Sequence, residues 1–101
     1  MEKQLKQIIT HFGQTAQIIK AMEEFGELTT ELAKGLNGQG GLDRIAEEMA
    51  DALVMIKQLM IIFDISGNDL DTLGNAKIVR TLNRIRAEKI REEERRHETD
   101  H

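Results

Sequence analysis

The sequence predicts an all-α protein, and three observations carry that expectation. No proline occurs in its 101 residues, so no helix is forced to break or kink. Apolar residues recur at three- and four-residue spacing as far as Ile90, the period of a helix face rather than of a strand. The periodic segments are parted by "GLNGQGG" and "DISGND", stretches that do not hold a helix. Together they predict one domain, a bundle of about four helices.

The first helix is expected from Glu2 to His11, with Leu5, Ile8, Ile9 and Phe12 as its apolar stripe and Gly13 as its stop. The second runs from about Thr15 to Lys34, with Ile18, Ile19, Met22, Phe25, Leu28 and Leu32 on one side, and ends at Gly35. The third, Leu42 to Phe63, is apolar around most of its circumference, as befits a helix inside a bundle or between subunits. A cap at Asn68 or Asp69 opens the fourth, which carries Leu70, Leu73, Ile78, Leu82, Ile85 and Ile90. Residues 1–90 read as the domain. Residues 91–101, "REEERRHETDH", read as a charged extension, a frayed and solvated helix end. A domain this small with so apolar a third helix is expected to complete its core as a homo-oligomer.

Composition excludes several functions. The net charge of −4 argues against a nucleic-acid binder, which presents a basic face. The longest apolar run, Leu59 to Phe63, is far too short to span a bilayer. "MEKQLKQ" offers no apolar signal core. The chain has no cysteine, which removes disulfides and thiolate metal sites and fits a reducing cytoplasm. His97 to His101 matches HExxH literally, but it has no apolar face around it and no third ligand downstream. It reads as adventitious.

The acids of the second and third helices are harder to dismiss. Glu24 falls at the edge of the apolar stripe, beside Leu28, and Glu27 and Glu31 continue along the same flank. Glu48 projects between Met55 and Leu59, inside an apolar arc, where a lone carboxylate must lose hydration or take up a proton. Glu24 with Glu27, and Glu48 with Asp51, each put two carboxylates on one helical face. The Gly-rich connection closes the two helices into a hairpin, and at ~1.5 Å rise per residue Glu27 and Asp51 both lie roughly 13 Å from its closed end. Four acids thus converge on one seam, where their repulsion calls for a cation. Carboxylates without His or Cys are hard oxygen ligands, suited to Mg²⁺ or Mn²⁺. Mg²⁺ in turn bridges readily to phosphate oxygens. Solvated or salt-bridged acids, with Lys20 and Arg44 as partners, are the simpler alternative.

Glu23-Glu24-Phe25-Gly26-Glu27 followed by Glu48-Met49-Ala50-Asp51 resembles the EExxE and ExxD pattern of the MazG-like all-α nucleoside triphosphate pyrophosphohydrolases. The likeness extends from about Gln17 to Arg86 and includes the Gly before the third Glu and the Ala before the Asp. It implies cleavage of a nucleoside triphosphate between its α and β phosphates, giving a monophosphate and pyrophosphate. It assigns Glu24, Glu27, Glu48 and Asp51 to Mg²⁺ and to catalysis, with Glu27 or Glu24 as general base. Gln17, Lys20, Lys77 and Arg80 would contact substrate, and the assembly would be a dimer or tetramer. The related phosphoribosyl-ATP pyrophosphohydrolases match "EEMADALV" less well. A non-catalytic helical oligomerisation module with a structural divalent-cation site is the alternative from another class.

Overall fold

The structure, a computed structural model, describes residues 1–99. Among them it is all-helical, with α1 at Glu2–Phe12, α2 at Gln14–Leu36, α3 at Leu42–Ile62 and α4 at Gly67–Thr99. The expected helices are all present; the ends of the first three differ from expectation by one or two residues, while α4 starts earlier and continues as helix through the segment expected to fray. The chain divides into two compact units, Met1–Ile65 and Ser66–His101. The first holds α1, α2 and α3, with α2 packed most extensively on α3. The second is α4, which runs unbroken past residue 90. No described helix is long and apolar enough to cross a membrane.

The joints of the first unit are short and set by glycine. Gly13 is both the end of α1 and the start of α2, at φ 94° and ψ 152°, a region that only glycine enters without strain. Its N–H donates to the Ile9 carbonyl at 2.8 Å, and its own carbonyl accepts from Gln17. α2 ends in a Schellman turn. The Gln39 N–H donates to the Lys34 carbonyl and the Gly38 N–H to the Gly35 carbonyl, with Gly38 left-handed at φ 74°. α3 closes in the same way: Ile65 N–H donates to Met60 and Asp64 N–H to Ile61. Here the left-handed residue is Asp64, at φ 53°.

α4 begins differently from expectation. The cap is Ser66, whose hydroxyl accepts from the Asp69 N–H at 3.0 Å. Asn68 and Asp69 already lie in the first turn. Asp69 there complements the helix dipole instead of capping it.

The interior of the first unit is small. Its buried apolar residues are Leu5 and Ile9 of α1, Ala21 of α2, and Ala52 and Met55 of α3. The stripe expected to bury α2 turns inward only in part, with Ile18, Phe25 and Leu28 half-buried. Ile19, Met22 and Leu32 are about half exposed or more, while Gln17, Ala21, Glu24 and Glu31 are buried. α3 is mixed in the same way, burying Glu48 and Gln58 beside Ala52 and Met55 while Met49, Leu53, Val54 and Ile56 stay exposed. The seam between α2 and α3 therefore mixes small apolar residues with polar ones.

An added Cβ at Gly13 meets nothing within 4 Å, so a substitution there tests backbone strain alone. Gly13→Ala is expected to destabilise the protein by about 1–3 kcal/mol, measured by urea unfolding. Wild-type stability in that variant would show that the joint relaxes without glycine.

Candidate metal centre

The buried side of α2 advances Gln17, Ala21, Glu24, Glu31, steps of four, three and seven that keep one helical face. Ala21 is only 1% exposed and Ala52 6%. Small residues at a helix contact shorten the distance between the axes. Arg44 reaches Glu31, and Glu27 and Glu48 share one cluster, which fixes the hairpin register. In that register Ala21 and Ala52 lie within about two residues of level, a single turn from the acids. The close approach draws the acids together.

Glu24, Glu27 and Glu48 each present a carboxylate oxygen, and these oxygens lie within 4.8 Å of one another. Glu24 and Glu48 are buried, whereas Glu27 is exposed. One oxygen of Glu24, Oε2, and one of Glu48, also Oε2, are sealed from solvent without a hydrogen-bond partner. Buried carboxylate oxygens are ordinarily satisfied. Two orphaned ones in a single cluster fit the binding of a cation. Opposite ligands of an octahedral ion with bonds of about 2.1 Å stand ~4.2 Å apart, a short side-chain adjustment from the present spacing.

The surrounding charges are placed unevenly. Lys20 Nζ lies 3.2 Å from Glu24 Oε1, which leaves Glu24 Oε2 as the unpartnered oxygen. That hydrogen bond and the Glu24 charge raise the Lys20 pKa. Burial raises the Glu48 pKa above its ordinary value, and the charges of Glu27, Asp51 and Glu24 add to the shift, while Arg44 opposes it. Glu31, only 5% exposed, is compensated: its Oε1 accepts from Lys34 and Arg44, each at 3.4 Å.

Three of the four acids expected to hold a metal are thus brought together. Asp51 is exposed and stands outside the trio, although its charge is felt at Glu48. Of the residues expected at substrate, Gln17 is buried on the seam and Lys20 is engaged by Glu24. Lys77 and Arg80, on α4, line a shallow basic cleft of about 280 Å³ with Thr81 and Arg84. Asp100 and His101 lie outside the described residues, and with them part of the HExxH match. Two polar groups are buried that were not expected to be, Glu31 and Gln58. Glu31 follows Glu24 by seven residues, a spacing that announces the shared face. Gln58, with Oε1 buried and unpartnered and Nε2 3.8 Å from the Met55 sulfur, gave no comparable signal.

No family model, no curated protein and no solved structure matches this chain.

The raised Glu48 pKa has a definite sign. A carboxyl whose folded value exceeds its unfolded one stabilises fully below the unfolded value, and that contribution is lost as pH rises through the folded value. Without divalent metal, wild type should therefore lose melting temperature relative to Glu48→Gln as pH rises from about 4 toward 7. A difference independent of pH would show that Glu48 titrates normally. Added Mg²⁺ should reverse the trend in wild type only, because it binds the ionised carboxylates.

Proposed function

We propose that the protein is a Mg²⁺-dependent nucleoside triphosphate pyrophosphohydrolase of the MazG-like kind. The observation that carries this reading is the pair of orphaned oxygens on Glu24 and Glu48, buried within reach of Glu27. A structural domain gains nothing from burying two unpartnered carboxylate oxygens in one cluster. A site that takes up a cation and an anionic substrate gains from both.

Glu24, Glu48 and Glu27 would hold the ion, with Asp51 one turn along α3 from Glu48, where its charge is felt. When bound, Mg²⁺ supplies charge neutralisation of the triphosphate and polarisation of its phosphoryl oxygens. The residues do the rest. Glu27 is exposed and has no ion pair among the described residues, so it is the carboxylate that a solvent water meets first. It accepts a proton from that water as the oxygen attacks the α-phosphorus. The bond from the α-phosphorus to the bridging oxygen breaks, and pyrophosphate leaves with the electron pair. Water and nucleoside triphosphate become nucleoside monophosphate and pyrophosphate, and the proton passes to solvent. Lys20 holds Glu24 in its rotamer, and Arg44 moderates the negative charge around Glu48.

The exposed apolar side chains of α3, Met49, Leu53, Val54 and Ile56, support a homo-oligomer in which a second copy covers them. The charge balance and the absence of cysteine fit a cytoplasmic enzyme acting on the nucleotide pool.

Product analysis tests the reaction. Purified protein with Mg²⁺ and each ribo- or deoxyribonucleoside triphosphate should yield monophosphate and pyrophosphate. Glu48→Gln should reduce turnover by more than ~100-fold, beyond what loss of an outer-sphere partner brings, with helix content intact. Diphosphate with phosphate would refute the reaction, as would full activity in Glu48→Gln. In a thermal melt, nucleotide should raise the midpoint only when Mg²⁺ is present. Stabilisation by metal alone, with no turnover of any nucleotide, would instead identify a non-catalytic module with a structural cation.

A further inference from the structure

At the closed end of the α2–α3 hairpin lies an open cleft of about 570 Å³, within the size range of small-molecule sites. Leu32, Leu36, Leu42 and Ile45 form its walls, and the turn from Gly38 to Gly41 forms its end. Leu36 is 91% exposed and Leu42 83%, so these side chains contribute little to the fold. Gln39 is the one polar side chain on the lining. The remaining polar groups there are backbone groups of the turn, of which the Gly38 and Gln39 N–H already donate to Gly35 and Lys34.

The cleft continues the seam of the acids. Along α2 the order is Glu27, then Glu31, then Leu32 to Leu36. Along α3, read toward the turn, it is Glu48, then Arg44, then Leu42. At ~1.5 Å per residue the cleft spans roughly 5–14 Å from the carboxylate cluster. Between the two lies the Glu31 carboxylate with both Lys34 and Arg44 upon it. That middle zone carries two cations and one anion, hence one surplus positive charge. Gly40 ties the zones together, since a Cβ there would meet Glu31 Oε2 at 3.4 Å.

We propose that this cleft seats the base and sugar of the nucleotide whose phosphates lie at the acids. The inference rests on the reading of the acids given above. The order of the three zones matches such a molecule: metal-ligating carboxylates and a surplus cation for the phosphates, then apolar walls for the ring. It also sets the substrate class. Apolar walls with a single polar side chain select by shape, and such walls discriminate between related ligands by only about 10- to 200-fold. The enzyme accepts several bases, ranked by fit and by what Gln39 and the turn backbone can bond.

The test uses the full-length chain labelled with ¹⁵N and titrated with the eight common ribo- and deoxyribonucleoside monophosphates. Saturable shifts are expected at the amides of Gly35, Gly38, Gly40 and Gly41. Leu36→Asp, at a position too exposed to disturb folding, should weaken those shifts about tenfold or more and raise KM for triphosphates with kcat little changed, the signature of lost ground-state binding. A parallel Mn²⁺ titration reads the acids alone, by broadening the amides near Glu24, Glu27 and Glu48. Broadening at the acids with no glycine shifts from any nucleotide overturns the cleft assignment while leaving the metal centre standing. Shifts that persist unchanged in Leu36→Asp overturn it too. Absence of Mn²⁺ broadening overturns both.

Discussion

Like charges held close in a half-dry seam are the constraint around which the first three helices are arranged. Three carboxylates within 4.8 Å repel one another most strongly where water is scarce. The chain meets that repulsion on three sides. Lys20 draws one oxygen of Glu24 outward, burial keeps the proton on Glu48 to higher pH, and Arg44 opposes that shift. What these groups leave is a pair of buried oxygens with nothing to bond. The same seam explains why the interior of the unit is so thin. Its middle is lined by alanine, and its two ends by glutamine and by a neutralised glutamate.

Much of this arrangement was legible in the sequence. The helical period, the absence of proline and the glycine-rich connections were enough for four helices and their approximate limits. Glu48 stood out because its helical neighbours are apolar, and it is buried as that pattern implies. Glu24 was placed at the edge of a stripe, and the structure puts it inside the seam. The pairing of Lys20 with Glu24 followed from an i,i+4 spacing that needs no tertiary information.

The chief misreading has a simple cause. Helical periodicity identifies which residues share a face but not which face turns inward. On α2 the apolar side was taken as the buried side. Here the polar side is buried against α3, and Ile19, Met22 and Leu32 face out. Gln58 went unnoticed for a related reason: a single amide among apolar residues carries no periodic signature. Asp51 shares a face with Glu48 by spacing, yet an i,i+3 step rotates it far enough around the helix to leave it exposed. The start of α4 turned on which of Ser66, Asn68 and Asp69 folds back on the backbone, and any of the three has the chemistry to cap. The left-handed Asp64 is likewise a residue type that permits the conformation without announcing it.

The joints between helices differ in how they respond to changes of length. At Gly13 one residue ends α1 and begins α2, so an insertion beside it turns α1 by about 100° relative to α2 and swings Leu5 and Ile9 away from their places. The connection from Asn37 to Gly41 has no such constraint, because both flanking helices are already locked to each other along the seam. Insertions and deletions in this chain are therefore absorbed at the hairpin tip and resisted at Gly13. The wall of the cleft is free to vary in length and composition while the spacing of the acids stays fixed, so descendants of this sequence can diverge in what they bind without rebuilding how they bind it.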